Sequence, residues 1–283
     1  MLSEYKPLSI KINHKLHTID QAWIMGIVNT GMDSFYDGGK YHTIDAALQL
    51  CEKHITEGAK IIDIGGQSSK PGVQFASTET EIAATAPVIE AIKKRFPNTI
   101  VSIDTFRSEV AYAAINAGVD IINDISAGDD DPQMLDLVAQ HQMTYIAMHK
   151  KGVSSTMQEH PQYENVSQAV FDYFKNKTEQ FKEKGIDNYI LDPGFGFGKT
   201  LEHNYQLFNH WPKLMAFNAP VLIGVSRKSM VYKLLETTAE HALNGSSVLH
   251  SLALLQGAHI LRVHDVAPAQ ECLKLIQQLR NTV

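Results

Sequence analysis

Basic charge, cysteine and long apolar runs are all scarce in this chain, and each shortage closes off a class of protein. Lys and Arg number 25 against 31 Asp and Glu, a formal net charge of -6 over 283 residues. A general nucleic-acid surface needs a basic excess, so no nucleic-acid partner is expected. No window reaches the roughly 18 consecutive apolar residues of a membrane span. The opening MLSEYKPLSIKINHKLHTID has no apolar stretch of signal-peptide type. The expectation is a cytoplasmic chain without a membrane partner. The two cysteines, Cys51 and Cys272, lack metal-ligand spacing and read as core thiols in a reducing compartment. Low-complexity tracts and like-charge runs are missing as well, which argues against disorder. With 44% hydrophobic residues, the chain has the material for a full core.

What is present is a series of short apolar runs, many closing on a polar residue: 24–29 IMGIVN, 60–66 KIIDIGG, 99–105 TIVSIDT, 120–126 DIINDIS, 144–149 TYIAMH, 188–194 NYILDPG, 220–226 PVLIGVS and 259–265 HILRVHD. Continuous runs of this length predict strands buried on both faces, hence a parallel sheet. Helix-like segments lie between them, and several close on a glycine just before the next strand: EGAKIID, NAGVDIIND, EKGIDNYILD and QGAHILRVHD. That recurring join predicts helices ending in a left-handed turn. Strand-helix units at a mean spacing of about 34 residues predict an α/β fold, a single (β/α)8 TIM barrel. A doubly wound open sheet is the competing arrangement. Before the first strand, LSIKINHKLHTI alternates around Asn13 and His14 and predicts an N-terminal β-hairpin plugging the barrel floor. One domain over 1–283 is expected, with 1–22 as the hairpin extension.

Active sites of such barrels lie at the C-terminal ends of the strands. Those ends carry Asn29, Asp63, Asp104, Asn123, His149, Asp192, Arg227 with Lys228, and Arg262 with His264. Carboxylates and amides come from the second, third, fourth and sixth strands, and cations from the seventh and eighth. The first group can accept from the N–H groups of a heterocycle; Lys228, Arg262 and His264 can hold an anion. SRKSM adds a helix start near Ser229, whose free N–H groups favour an anion; an ordinary serine N-cap is the equal alternative. The stretch LDPGFGFGKT imitates a phosphate-binding loop, but Pro193 stands where a P-loop needs glycine. Its glycines are read instead as letting a loop fold over the mouth, with Phe197 as an apolar wall and Lys199 as an exposed lysine.

MGIVN, DSFYDGG, IIDIGG, SIDT, IINDI, LDPGFGFGK, SRKSM and RVHDV occur in this order, and together they resemble the dihydropteroate synthase family over almost the whole chain. The resemblance implies a transferase of folate biosynthesis that condenses 4-aminobenzoate with 6-hydroxymethyl-7,8-dihydropterin diphosphate, giving 7,8-dihydropteroate and pyrophosphate by an SN1-like step. It implies that Asp104, Asn123, Asp192 and Lys228 bind the pterin, with Met148 against the ring and Asp63 close by. Asn29, Arg262 and His264 are implied for the diphosphate, with Asn29 near Mg²⁺, the implied cofactor. Ser229 is implied for the aminobenzoate carboxylate; Asp33, Ser69 and Lys70 belong to the loops closing over that site. A homodimer is implied as well, with the apolar segment GSSVLHSLALLQGA available for it.

Those two loops depart from the family pattern. NTGMDSF stands where NVTPDSF is usual, so Gly31 and Met32 replace threonine and proline. GGQSSKPG stands where GGESTRPG is usual, so Gln67 loses a carboxylate and Lys70 lacks arginine's planar fork. The loops, and with them the response to sulfonamides, therefore bear on a second reading, a catalytically impaired pterin-binding paralogue. A third reading, a metal-dependent barrel hydrolase using Asp63, Asp104, Asp192, His149 and His264, has a poor signal, since no two-histidine metal pattern occurs on a strand.

Overall fold

The structure, a computed structural model, describes residues 5–31, 40–67, 75–152 and 161–282. The chain opens with a hairpin, β1 Leu8–Ile12 and β2 Lys15–Ile19, paired antiparallel. Asn13 and His14 turn it with φ of 48° and 61°, the paired left-handed conformation that matches the twist of a tight hairpin. Strands and helices then alternate: β3 Trp23–Asn29, α1 Lys40–Thr56, β4 Ile61–Gly65, α2 Thr78–Arg95, β5 Ile100–Asp104, α3 Ser108–Asn116, β6 Ile121–Asp124, α4 Gln133–Gln140, β7 Thr144–Met148 and α5 Val166–Glu183. After these come β8 Tyr189–Asp192, α6 Leu201–His210, a 3₁₀ turn at Trp211–Phe217, β9 Leu222–Ile223, α7 Ser229–Tyr232, α8 Leu243–Leu255, β10 Ile260–Val263 and α9 Val266–Asn281.

Strands β3 to β10 form one 8-stranded parallel sheet in the order β8-β7-β6-β5-β4-β3-β10-β9. A parallel bridge between Leu191 and Val221 joins its two ends, with Leu191 N donating to Pro220 O at 2.9 Å. The open sheet is thereby excluded, and all eight expected strands are found in the barrel.

The predicted joins have the predicted geometry. Gly58, Gly118, Gly185 and Gly257 carry φ of 100°, 94°, 73° and 93°, a region that costs an L-residue with a Cβ. Gln142 and Asn218 do the same work ahead of β7 and β9 with φ of 51° and 55°. Sequence inspection missed these two, because neither is a glycine. At the other helix ends, Ser77 accepts from Thr80 N at 3.2 Å and Asn165 accepts from Gln168 N at 3.0 Å. Each satisfies a donor that its helix leaves free.

Side chains alternate across every strand, and this separates two cores. Ile62, Ile64, Val101, Ile103, Ile122, Leu191, Ile223, Leu261 and Val263 belong to the shell between barrel and helices, where Cys51 and Cys272 also lie, unpaired and buried. Inside the barrel, Trp23, Met25, Ile61, Ile100, Ile121, Ile146, Ile190, Leu222 and Ile260 form an apolar floor capped by Ile10, Ile12 and Ile19 of the hairpin. The hairpin is thus the floor plug.

Candidate active site

Two residues along from the floor, the same strand face changes character. Ile61 is followed by Asp63, Ile121 by Asn123, Ile190 by Asp192 and Ile260 by Arg262. The parallel register aligns Asn29 with Gly65, Gly65 with Asp104 and Asp104 with Asn123, and further round pairs Met148 with Asp192. Arg262 instead pairs with Met25, which pairs with Ile61. It therefore starts about one layer lower, and its long side chain reaches up into the mouth.

Asp63 is fully buried. Its Oδ2 accepts from Arg262 Nε at 2.7 Å and from Asn123 Nδ2 at 3.2 Å. Its Oδ1 is buried with no partner among the described residues, a costly state for an acceptor and one that a ligand N–H can relieve. Arg262 Nη2 donates to Asp104 Oδ2 at 2.6 Å. The carboxylate and cation halves expected from the strand ends therefore touch, with Arg262 bridging two acids. Burial, opposed by Arg262 and assisted by Asp63, pushes Asp104 up to about 7. Burial alone would lower the Arg262 pKa, but Asp63 and Asp104 outweigh it and keep the guanidinium charged.

Across the mouth, Asp192 accepts from Gly194 N at 2.8 Å. Burial raises its pKa against the pull of Lys228. Lys228 Nζ donates to Phe195 O at 2.6 Å and stands 4.7 Å from the Phe197 ring centroid. Burial brings its pKa down to about 8, with Asp192 opposing. The bare backbone of Gly224 leaves the space between: a Cβ there would lie 3.8 Å from Lys228 Nζ and 3.9 Å from Asp192 Oδ2. Met148, Ile125 and Phe197 form an apolar cluster with Phe106 against it, a surface suited to a flat ring. His264 Nδ1 lies 3.1 Å from Ser226 Oγ. His264 is exposed at the rim of the mouth; its partial desolvation, then the Arg262 charge, lowers its pKa and favours a neutral ring near pH 7.

Other expectations meet different outcomes. Asn29 is exposed at the end of β3, and its Oδ1 lies 3.2 Å from where a Gly65 Cβ would stand. Ser229 is the first residue of α7, directly after Lys228. Asp33, Ser69 and Lys70 lie outside the described residues, as does Met32. At Gly31 a Cβ would meet Gly66 O at 2.9 Å, so glycine suits the close approach of the two loop roots. Gln67 donates to Glu81, which also accepts from Arg107 Nη1 at 2.7 Å. The amide at position 67 thus faces a buried acid, where a second carboxylate would be repelled.

Three expectations need correction. Arg227 does not join the mouth cations: its Nε and Nη2 donate to Asp265 at 2.7 and 2.8 Å. Lys199 is only 3% exposed, not a solvent-facing loop lysine. His149, directly after β7, lies beneath the loop, with Lys199 Nζ 3.0 Å from its Nδ1. Glu81 and Arg107 were missed altogether, because nothing in their local sequence indicates that they meet.

Fold and site geometry together mark the chain as a (β/α)8 enzyme whose site occupies the C-terminal mouth of the barrel. Residues 25–264 match the family model described as pterin binding enzyme. The dihydropteroate synthase of Haemophilus influenzae is 39% identical over 276 residues, covering 97% of this chain and 100% of that one. The Escherichia coli dihydropteroate synthase is 40% identical over 256 residues, 90% of each chain. Among solved structures, the Yersinia pestis dihydropteroate synthase with a sulfonamide drug complex superposes with a TM-score of 0.91 at 36% identity, covering 97% of this chain and 100% of that one. The Xanthomonas albilineans enzyme with 4-aminobenzoic acid gives 0.90 at 36% identity, covering 97% and 99%. The chain belongs to the dihydropteroate synthase family of pterin-binding enzymes.

Proposed function

We propose that this chain is an active dihydropteroate synthase, joining 4-aminobenzoate to 6-hydroxymethyl-7,8-dihydropterin diphosphate with release of pyrophosphate. The observation that carries the reading is the cluster of Asp63, Asp104, Asn123 and Asp192 with Arg262 and Lys228 around one apolar platform. Buried acceptors suit the N–H and amino groups of a pterin, and Met148 and Phe197 suit its faces. Breaking the C–O bond sends the electron pair away with the diphosphate and leaves an electron-poor carbon on the ring. Asp104 and Asp192 offset that positive charge, while Arg262 and His264 face the departing anion as hydrogen-bond donors. The neutral arylamine then attacks, losing a proton, so no activated nucleophile of the protein is required. Ser229, beside Lys228, is assigned to the aminobenzoate carboxylate.

Mg²⁺ fits this reading as a shared ion. Among the described residues no cluster of three His, Cys, Asp or Glu side chains could hold a metal alone. Mg²⁺, however, usually takes few protein ligands together with substrate phosphates. Asn29 Oδ1 would be the protein oxygen, and the ion would help neutralise the leaving diphosphate.

Four further parts of the reading concern the whole molecule. We assign residues 1–283 to one domain with 1–22 as its extension. Exposed Leu243, Val248 and Leu252 on α8, with Leu275 and Leu279 on α9, support a homodimer through this apolar face. The unpaired thiols support a cytoplasmic location. No described helix is long and apolar enough to cross a membrane.

The test is product formation by the purified protein with pterin diphosphate and Mg²⁺, with and without 4-aminobenzoate. Dihydropteroate formed only when the arylamine is present is the expected result. Pterin binding without dihydropteroate, under conditions where a known synthase works, would sink the reading.

A further inference from the structure

The loop after β8 is tied by several side chains: Asn204 Oδ1 accepts from Gly196 N at 2.7 Å, Lys228 Nζ donates to Phe195 O, and Lys199 binds it from beneath. Lys199 Nζ donates to Gly194 O at 2.8 Å and to Phe197 O at 3.1 Å, with His149 Nδ1 at 3.0 Å and His149 O at 3.4 Å. Burial holds the Lys199 pKa well below the ordinary lysine value, with Asp192 opposing. The carbonyls of Gly194, Phe197 and His149 can only accept, which favours the protonated form, and the three shorter contacts use its three protons. Every hydrogen-bond partner described for Lys199 Nζ is a neutral carbonyl or ring nitrogen. A buried cation without a bonded carboxylate is expensive relative to an apolar side chain of the same length, so stability alone does not explain it.

What the clamp controls is the mouth. The clamped segment begins directly after Asp192. It contains the Phe195 carbonyl that receives Lys228 Nζ at 2.6 Å, and the Phe197 ring beside that ammonium. Two glycines allow the loop to lie this low: a Cβ at Gly194 would stand 1.8 Å from His149 O, and one at Gly198 would stand 2.3 Å from Lys151 O. Burial, then Lys199, pushes the His149 pKa well down, which leaves a neutral ring whose Nδ1 can only accept from an ammonium. The remaining proton then sits on Nε2.

We infer that Lys199 is a positioning residue of the heterocycle site: its ammonium ties the Gly194 and Phe197 carbonyls to His149 and so sets where Asp192, Phe197 and Lys228 stand. The ligand named here rests on the reading of the mouth as a pterin site. Lys199→Met, which keeps the length and removes the donors, is expected to raise KM for pterin diphosphate about tenfold, a change of about 1.4 kcal/mol. KM for 4-aminobenzoate should stay within about twofold, because the clamp's direct contacts, Gly194, Phe197 and His149, lie on the ring side and reach Ser229 only through Lys228.

The deciding experiment pairs these kinetics with ¹⁵N NMR of the His149 ring and calorimetric titration of 6-hydroxymethylpterin into both proteins. Support is a selective rise in the pterin KM, weaker hydroxymethylpterin binding, and a bare Nδ1 in the wild type that changes its shift in Lys199→Met. Equal losses in both KM values, or unchanged pterin binding by a folded variant, would overturn the inference. Should the variant not fold, the wild-type spectrum decides: a proton on Nδ1 overturns the clamp and a bare Nδ1 supports it. A wild type that binds hydroxymethylpterin yet makes no dihydropteroate would defeat the proposed reaction, while the two binding curves would still judge Lys199.

Discussion

The floor and the mouth of this barrel are built on the same strands, two residues apart, and they obey opposite rules. At the floor, Ile61, Ile100, Ile121, Ile146, Ile190 and Ile260 close on the hairpin isoleucines with almost no exposed surface. Each contributes through apolar burial, about 1.5–3 kcal/mol per side chain. At the mouth, Asp63, Asn123 and Asp192 are buried nearly as deeply, yet burial there costs free energy, which hydrogen bonds only partly recover. Asp63 Oδ1 remains without a partner among the described residues. One end of the barrel is therefore stabilised by what it excludes from water, and the other is poised for what it can bind.

Removing Arg262 should break the contrast most severely. Arg262→Ala strands Asp63 and Asp104 together without their cation, so kcat/KM should fall by about a thousandfold or more, the loss of roughly 4 kcal/mol of charge stabilisation. Stability should fall too, by about 3–5 kcal/mol if both acids stay ionised and by less at low pH, where they can protonate. Steady-state kinetics and denaturant melts at two pH values would check this. Unchanged kcat/KM would exclude Arg262 from the site.

Ile19→Ala tests the other end. The residue is fully buried under the barrel, and a large-to-small change in such a place costs about 2–5 kcal/mol. Both KM values should remain within about twofold at a temperature where the variant is folded. A large change in either KM would mean that floor and mouth are coupled and that the contrast is overdrawn.

The smallest effect expected is a pH profile. Asp104, raised to about 7, must ionise to accept from a pterin, and Lys228, lowered to about 8, must keep its proton. The kcat/KM profile should rise through about 7 and fall through about 8, changing about tenfold per pH unit on each limb. The corresponding stability effects run in opposite directions. Neutral Asp104 favours the folded state, a contribution complete below its unfolded value of 3.8 and lost as pH rises through about 7. Neutral Lys228 also favours it, a contribution complete above 10.5 and lost as pH falls through about 8. A flat profile from pH 6 to 9 would show that these two groups do not control binding.

The legible parts were those governed by short-range repetition. Apolar runs of strand length located β3 to β10, and glycines before strands located four of the left-handed helix ends. The Asn13–His14 turn announced its hairpin. The polar residues closing those runs announced the mouth, because a strand presents every second side chain to the same face. Gln142 and Asn218 escaped because a left-handed residue other than glycine has no compositional signature. Arg227 was misassigned because adjacent residues in a turn need not point the same way. Its partner Asp265 lies on another βα connection.

By itself, then, the sequence determined the strand-helix alternation, the polar strand ends and the family, all carried by local pattern and residue type. Only the tertiary structure decided which charges meet. Barrel closure and strand register bring Arg262 from its lower row to Asp63 and Asp104. The close approach allowed by Gly194 and Gly198 folds the loop down and buries Lys199 against His149. Charge pairing and desolvation depend on distances between segments far apart in the chain, and those distances exist only once the ring has closed.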